Sequence, residues 1–213
     1  PRNELVISYS KECGVWKELA TISAEDVASA GYFSQDFIPN TDMIWNDTVM
    51  FDRIEAGTFL IAGALLGKLN LNSVIPSHLD SLISKLKEVG CSIETTKNTI
   101  TIFPADRLNA VDMKTDVFPG FATDLQAQWV ALMATANGSS IITDTVYHDR
   151  FSHVPELNRF GADINVKKNT AFVRGVKNLV GAPVMSTDIR ASASLIIAGL
   201  AAKGKTEISR IYH

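Results

Sequence analysis

Asp52–Gly67 (DRIEAGTFLIAGALLG), Asp124–Gly138 (DLQAQWVALMATANG) and Asp188–Gly204 (DIRASASLIIAGLAAKG) share one layout: an aspartate, a long and almost uncharged run, then a glycine. The runs FLIAGALL (59–66), WVALMA (129–134) and LIIAGLAA (195–202) are apolar on every side, so each predicts a helix that must be surrounded rather than half exposed. An aspartate at a helix start accepts hydrogen bonds from free amides of the first turn and opposes the positive end of the dipole.

The repetition extends outward from the helices. Gly67 begins GKLNL, Gly138 begins GSSII and Gly204 begins GKTEI, so each apolar run passes through a glycine into a short alternating strand. In two of the units a second helix follows. SHLDSLISKLKEVG (77–90) carries Leu79, Leu82, Ile83 and Leu86 at helical spacing, and HVPELNRFG (153–161) ends likewise on a glycine. A hairpin of alternating residues comes next, SIETTKNTITIF (92–103) and DINVKKNTAFV (163–173), turning at Lys97-Asn98 and Lys168-Asn169. The two turns are 71 positions apart, as are Gly90 and Gly161.

A unit of roughly 70 residues exceeds the ~20–50-residue period of solenoids, so it predicts a compact, pseudo-symmetric α/β (α+β) domain with sheets around buried helices. The third unit breaks off at RIYH (210–213). Residues 48–213 form the repeat domain. Residues 1–47 match none of the units, and either they complete the third one or that unit is truncated. Within them ELVISYS (4–10) reads as a strand, and ISAEDVASAGYF (22–33) as a short helix capped through Ser23 and Asp26.

The 213 residues are 46% hydrophobic with a net charge of -3, enough for a sizeable core and without the basic footprint of a nucleic-acid binder. No stretch reaches the ~18 apolar residues of a membrane span, and the first residues lack a signal-peptide layout, so a cytoplasmic protein is expected. Cys13 and Cys91 stand far apart with no Cys/His cluster, which predicts reduced, structural cysteines and no metal.

Asp52 reads as a simple cap. Asp124 follows VFPGFAT (117–123), a loop that brings backbone close to a ligand, and Asp188 has Arg190 beside it. Arg190 and Arg53 both lie in first helical turns, where a cation opposes the dipole unless an anion is within reach. That anion is either a bound phosphate or carboxylate, or a structural acid such as Glu55 or Asp188. The segment TDTVYHDRFSHVPEL (143–157) sets Tyr147, His148, Asp149, Arg150 and His153 between a strand and a helix, a composition typical of binding loops. His153, before Val154-Pro155, reads as a capping or packing histidine rather than a general base.

The stretches DRIEAGTFLIAGA (52–64), FATDLQAQWVALM (121–133), HDRFSHVPELNRFGADI (148–164) and TDIRASASLIIAGLAAKGKTEISRIYH (187–213) resemble the UDP-N-acetylglucosamine 1-carboxyvinyltransferase family of enolpyruvyl transferases. The resemblance covers the chain from about Val49 onward. It implies an inside-out α/β barrel of repeated βαβαββ-type units with buried helices, one of two domains that hold substrate in a cleft between them. It implies transfer of enolpyruvate from phosphoenolpyruvate to the 3-hydroxyl of UDP-N-acetylglucosamine in peptidoglycan synthesis, without metal or organic cofactor. By the same resemblance Asp124 is the base at the sugar 3-hydroxyl, Arg190 binds the anionic groups of phosphoenolpyruvate, and Asp188 assists proton transfer or orients the arginine. Val146 meets the UDP-sugar through its backbone, and Tyr147 and Arg150 line the same region; Arg53 is counted as substrate-binding from its place at a helix start.

Departures from the family set limits. The lysine-asparagine pair and cysteine loop of its other domain have no match here, and Cys13 does not replace that cysteine. Ala122 and Phe51 stand where the family has prolines. The expectation is an incomplete enzyme with little turnover alone, needing a complementary domain or prone to self-association. The alternatives are a non-catalytic sugar-nucleotide-binding or scaffold domain and, ranked below both, a shikimate-type transferase.

Overall fold

The computed structural model describes residues 51–210, together with the backbone of residues 4–10 and 16–23. Of the helix expected over residues 22–33, Ile22 and Ser23 belong to a strand instead and the rest falls outside the described residues, as does Cys13. Three helices occupy the centre: α1 (Arg53–Leu66), α3 (Gln126–Met133) and α5 (Ile189–Ala201), each in contact with the other two. All eight residues of α3 are buried, the apolar run from Trp129 and also Gln126 and Gln128 before it. The shorter α2 (Asp80–Val89) and α4 (Val154–Arg159) lie outside them, and α2 buries only Leu82, Ile83, Leu86 and Val89.

Each central helix is backed by its own sheet. The first contains β3 (Leu69–Asn72), β4 (Ser92–Thr95) and β5 (Thr99–Phe103) in the order β3-β5-β4. The second contains β6 (Met113–Lys114), β7 (Ser139–Thr143), β8 (Asp163–Lys167) and β9 (Thr170–Arg174) in the order β6-β7-β9-β8. Strand alternation decides which side faces the helices: Leu69, Leu71, Ile100 and Ile102 point inward in one sheet, and Ile142, Ala171 and Val173 in the other. The hairpins turn where the 71-residue offset puts them, with Lys168 in the left-handed conformation at φ 57° and Gly90 in the same region at the end of α2.

The third sheet departs from this plan. It holds β10 (Pro183–Met185) and β11 (Lys205–Ser209), and beyond β11 come β1 (Glu4–Ser10) and β2 (Trp16–Ser23), in the order β10-β11-β1-β2. The β1 strand occupies the position that β5 and β9 hold beside the strand that follows each central helix. It runs parallel to β11, however, whereas β5 and β9 run antiparallel to β3 and β7. The expected strand ELVISYS is therefore present. The three sheets stay separate, and no closed barrel forms among the described residues.

Three helix boundaries differ from the sequence reading. Asp124 does not cap an α-helix: it sits in a 3-10 turn (Thr123–Leu125), and α3 begins two residues later. The helix also ends at Met133 rather than at Gly138, because Thr135 and Ala136 donate to Leu132 and Met133 at three-residue spacing and tighten the chain out of the α form. Likewise α5 ends at Ala201, before Gly204.

Gly175 packs against the chain just after α3. A Cβ there would lie 1.6 Å from the Ala136 carbonyl oxygen, whereas one on Gly161 would meet nothing within 4 Å. Gly175→Ala should therefore cost at least the upper part of the ~1–3 kcal/mol typical of overpacking. Gly161→Ala, at φ +83°, should cost only about 1–2 kcal/mol of left-handed backbone energy. Denaturant titration of the two variants gives the comparison, and equal losses would contradict the packing account.

Candidate active site at the helix starts

Because α3 and α5 pack together, the turn before α3 faces the first turn of α5. Asp124 Oδ1 accepts a hydrogen bond from Arg190 Nε at 2.9 Å and another from Arg150 Nη1 at 2.7 Å. The anion that Arg190 needs at a helix start is thus neither Asp188 nor Glu55 but an acid from another repeat. Asp124 Oδ2 has no hydrogen bond among the described residues. One carboxylate oxygen thus serves two guanidiniums and the other stays open. Next to it lies a cleft of about 370 Å³, whose walls include Glu55, Thr58, Asp124, Gln128 and Arg190.

Asp188 caps α5, its Oδ1 accepting from the amides of Arg190 at 2.8 Å and Ala191 at 3.0 Å, while Ser152 donates to Oδ2 at 3.2 Å. Burial alone would raise the pKa of this carboxyl. The two amides, the Ser152 hydroxyl and His153 outweigh it and hold the group below its ordinary value. Asp188 is therefore a fixed anion at neutral pH.

The connection between β7 and α4 carries most of the remaining residues. Tyr147 is 55% exposed, and its ring lies 4.7 Å from the Arg150 guanidinium, which holds Arg150 in plane for Asp124. Val146 is exposed, and its backbone N–H is engaged by Asp144 at 3.0 Å, leaving its carbonyl as the free backbone group. His153 is 1% exposed, and its Nε2 has no hydrogen-bond partner among the described residues. Burial depresses its pKa to about 4, against a weaker opposite pull from Asp188, so the imidazole is neutral and packed.

Arg53 is not brought into this cluster. Its guanidinium sits 5.0 Å from the Phe118 ring, within an aromatic group that includes His78 and Phe51. Asp52 caps α1 as expected, accepting from the amides of Ile54 and Glu55. Cys91 is buried with a free thiol whose pKa burial raises, and no metal-holding group of three or more His, Cys, Asp or Glu residues occurs among the described residues. No described helix is long and apolar enough to cross a membrane.

One site residue escaped the sequence reading. Asp144 is fully buried and accepts from Thr115, Thr123 and the amides of Val146 and Tyr147. Its only signal was an acid enclosed by threonines at the end of an alternating strand, which resembles an ordinary turn.

Helix starts carrying an arginine-held carboxylate, on repeated α/β units, define a class. The chain belongs to the EPSP synthase (3-phosphoshikimate 1-carboxyvinyltransferase) family, which matches residues 40–213. Within it, the chain is 56% identical over 168 residues to the UDP-N-acetylglucosamine 1-carboxyvinyltransferase of Bdellovibrio bacteriovorus, and 51% identical over 166 residues to that of Myxococcus xanthus. Those matches cover 78% of this chain but only 41% and 40% of the relatives, so the chain spans about two fifths of their length. Among solved structures, the enolpyruvyl transferase NikO from Streptomyces tendae superposes with a TM-score of 0.69 at 27% identity, covering 78% of this chain and 40% of that one. EPSP synthase from Acinetobacter baumannii shares the fold alone, with a TM-score of 0.61 at 17% identity over 78% of this chain and 41% of that one.

The state of His153 predicts a pH dependence. Its folded pKa of about 4 lies below the ordinary 6.5, so between those values the unfolded chain binds the extra proton and stability falls as pH drops. The full loss is on the order of 3 kcal/mol. Asp188 contributes in the same direction, but only as pH falls below the ordinary carboxyl value of 3.8. Denaturant unfolding at pH 7, 5.5 and 4.5 should show the first loss in the natural chain and not in His153→Phe.

Proposed function

We propose that this chain is the part of a UDP-N-acetylglucosamine 1-carboxyvinyltransferase that supplies the base and one anion-binding wall. The reaction moves enolpyruvate from phosphoenolpyruvate to the sugar 3-hydroxyl, in the cytoplasm, at the entry to peptidoglycan synthesis. The observation that supports it best is the asymmetric Asp124 carboxylate, with Oδ1 held by Arg150 and Arg190 and Oδ2 open. A base must be within hydrogen-bond reach of the proton it removes, and a carboxylate fixed at one oxygen presents the other in one direction.

In this reading Oδ2 takes the proton of the 3-hydroxyl as the sugar oxygen bonds to C2 of phosphoenolpyruvate, while C3 gains a proton. Loss of a C3 proton with departure of phosphate then restores the double bond in the product. Arg190 faces the carboxylate or phosphate of phosphoenolpyruvate, whose negative charge its guanidinium fork suits. Asp188 fixes the first turn that carries Arg190. The Val146 carbonyl, Tyr147 and Arg150 line the sugar-nucleotide side, and Arg53 with Phe118 forms a more distant wall of the substrate region. No metal or organic cofactor is required, since the chemistry is proton transfer and anion stabilisation.

The chain spans about two fifths of its relatives, and this supports an incomplete site to be closed by a complementary domain. It also keeps a second reading in view, a domain that binds sugar nucleotide without turnover. For the domain as a whole, we infer that β1 and β2 complete the third unit, and that the three sheets represent an inside-out barrel around α1, α3 and α5.

Calorimetric titration separates these readings. UDP-N-acetylglucosamine should bind saturably to the isolated chain, shikimate 3-phosphate should not, and Asp124→Asn should weaken the sugar nucleotide by at least about tenfold, as loss of a charged hydrogen bond implies. Absence of saturable binding would contradict the assignment. Rapid phosphate release from both substrates would contradict the incompleteness.

A further inference from the structure

Asp144 is the most completely enclosed carboxylate bearing on the site, with 0% exposure and no cation in direct contact. Burying an ionised carboxylate is costly unless its lone pairs are satisfied by donors. Four donors meet it. Oδ1 accepts from Thr115 Oγ1 at 2.8 Å, Val146 N at 3.0 Å and Tyr147 N at 2.8 Å, and Oδ2 accepts from Thr123 Oγ1 at 2.6 Å. Thr115 in turn accepts from the amide of Thr145 at 2.9 Å, so the same acid also anchors the neighbouring strand end.

Thr123 is the informative contact. Its only hydroxyl proton is directed to Asp144, so its lone pairs face the other way, and there Arg150 Nη1 donates to them at 3.3 Å. The same Arg150 nitrogen donates to Asp124 Oδ1 at 2.7 Å. A continuous relay therefore runs from a buried anion through one hydroxyl to the guanidinium that holds the proposed base. Its polarity is set at the buried end.

The geometry points to Asp144 as a positioning residue for the transfer reaction: through Thr123 it orients Arg150 and hence Asp124, and through two amides it presents the Val146 carbonyl. This rests on the function proposed above. Asn in place of Asp144 cannot reproduce the arrangement, because its NH2 would face either the Thr123 hydroxyl or the Val146 and Tyr147 amides, all of which are donors. Reversing the Thr123 hydroxyl would relieve one clash and at the same time turn its proton toward Arg150.

Since Asp144→Asn can also destabilise the loop, the decisive variants act at Thr123. Thr123→Val removes the relay together with the one donor to Asp144 Oδ2 among the described residues, and Thr123→Ser retains both. The natural chain and both variants would be compared by melting temperature, by UDP-N-acetylglucosamine affinity and by the Arg150–Asp124 distance in crystals, with affinities repeated in an Arg150→Ala background. Melting should stay within about 4 °C for Thr123→Ser and fall by roughly 3–12 °C for Thr123→Val, as loss of a donor to a buried carboxylate implies, so affinities are compared well below both transitions. Thr123→Val should weaken binding about fivefold, an effect that Thr123→Ser restores and that vanishes once Arg150 is absent. In Thr123→Val crystals Arg150 should leave Asp124.

The proposal is overturned if Thr123→Val and Thr123→Ser behave alike, if the effect persists in Arg150→Ala, or if the Arg150–Asp124 contact survives in the valine variant. Should the natural chain bind no sugar nucleotide, the functional assignment fails, and the crystallographic distance alone decides whether Asp144 positions Arg150.

Discussion

The packing of three helices with no polar face governs everything else in this chain. α1, α3 and α5 have nowhere to place a solvent-exposed side, so they contact one another and sheets enclose them. The burial of Leu60, Ile61, Trp129, Leu132, Leu195 and Ala198 in one core leaves little freedom to slide one helix along another. As a result the turn before α3 and the start of α5 meet, and residues 66 positions apart in sequence come within hydrogen-bond distance. The site follows from hydrophobic packing first and from charge second.

Charge then refines what packing has placed. Asp52 and Asp188 satisfy the amides of their own helices, whereas Asp124 gives its Oδ1 to arginines from elsewhere in the chain. An arginine in a first helical turn is unfavourable against the dipole, and Arg190 is offset by a carboxylate from another unit. Of the three aspartates, two cap their helices and one is a held carboxylate with a free oxygen. Beneath them Asp144 and His153 are buried polar groups with opposite solutions, one saturated by four donors and the other kept neutral.

The helices, their strands and both hairpins were legible because apolar periodicity and glycine punctuation act locally. The placement of Asp124, Asp188 and Arg190 near helix starts was legible in the same way. What failed was of longer range. The partner of Arg190 could not be read from its neighbours, since the answer lay in another unit. The 3-10 turn at Asp124 arises where the chain leaves a loop whose Thr123 is tied to Arg150 and Asp144, whereas the sequence reading started the apolar helix at Asp124 itself. Asp144 was invisible because its four donors come from three separate segments. Arg53 carried the same signal as Arg190 yet faces Phe118, so an arginine at a helix start marks a cation needing a partner rather than a ligand site.

The proposed function turns on the open oxygen of Asp124 as the acceptor of the substrate hydroxyl's proton. A crystal structure of the chain with UDP-N-acetylglucosamine, solved without phosphoenolpyruvate, tests it most directly. The account predicts the sugar 3-hydroxyl within hydrogen-bond distance of Asp124 Oδ2, with Oδ1 still held by Arg150 and Arg190. A sugar nucleotide bound with its 3-hydroxyl directed away from Asp124, or an Asp124 whose Oδ2 turns to an arginine instead, would contradict it.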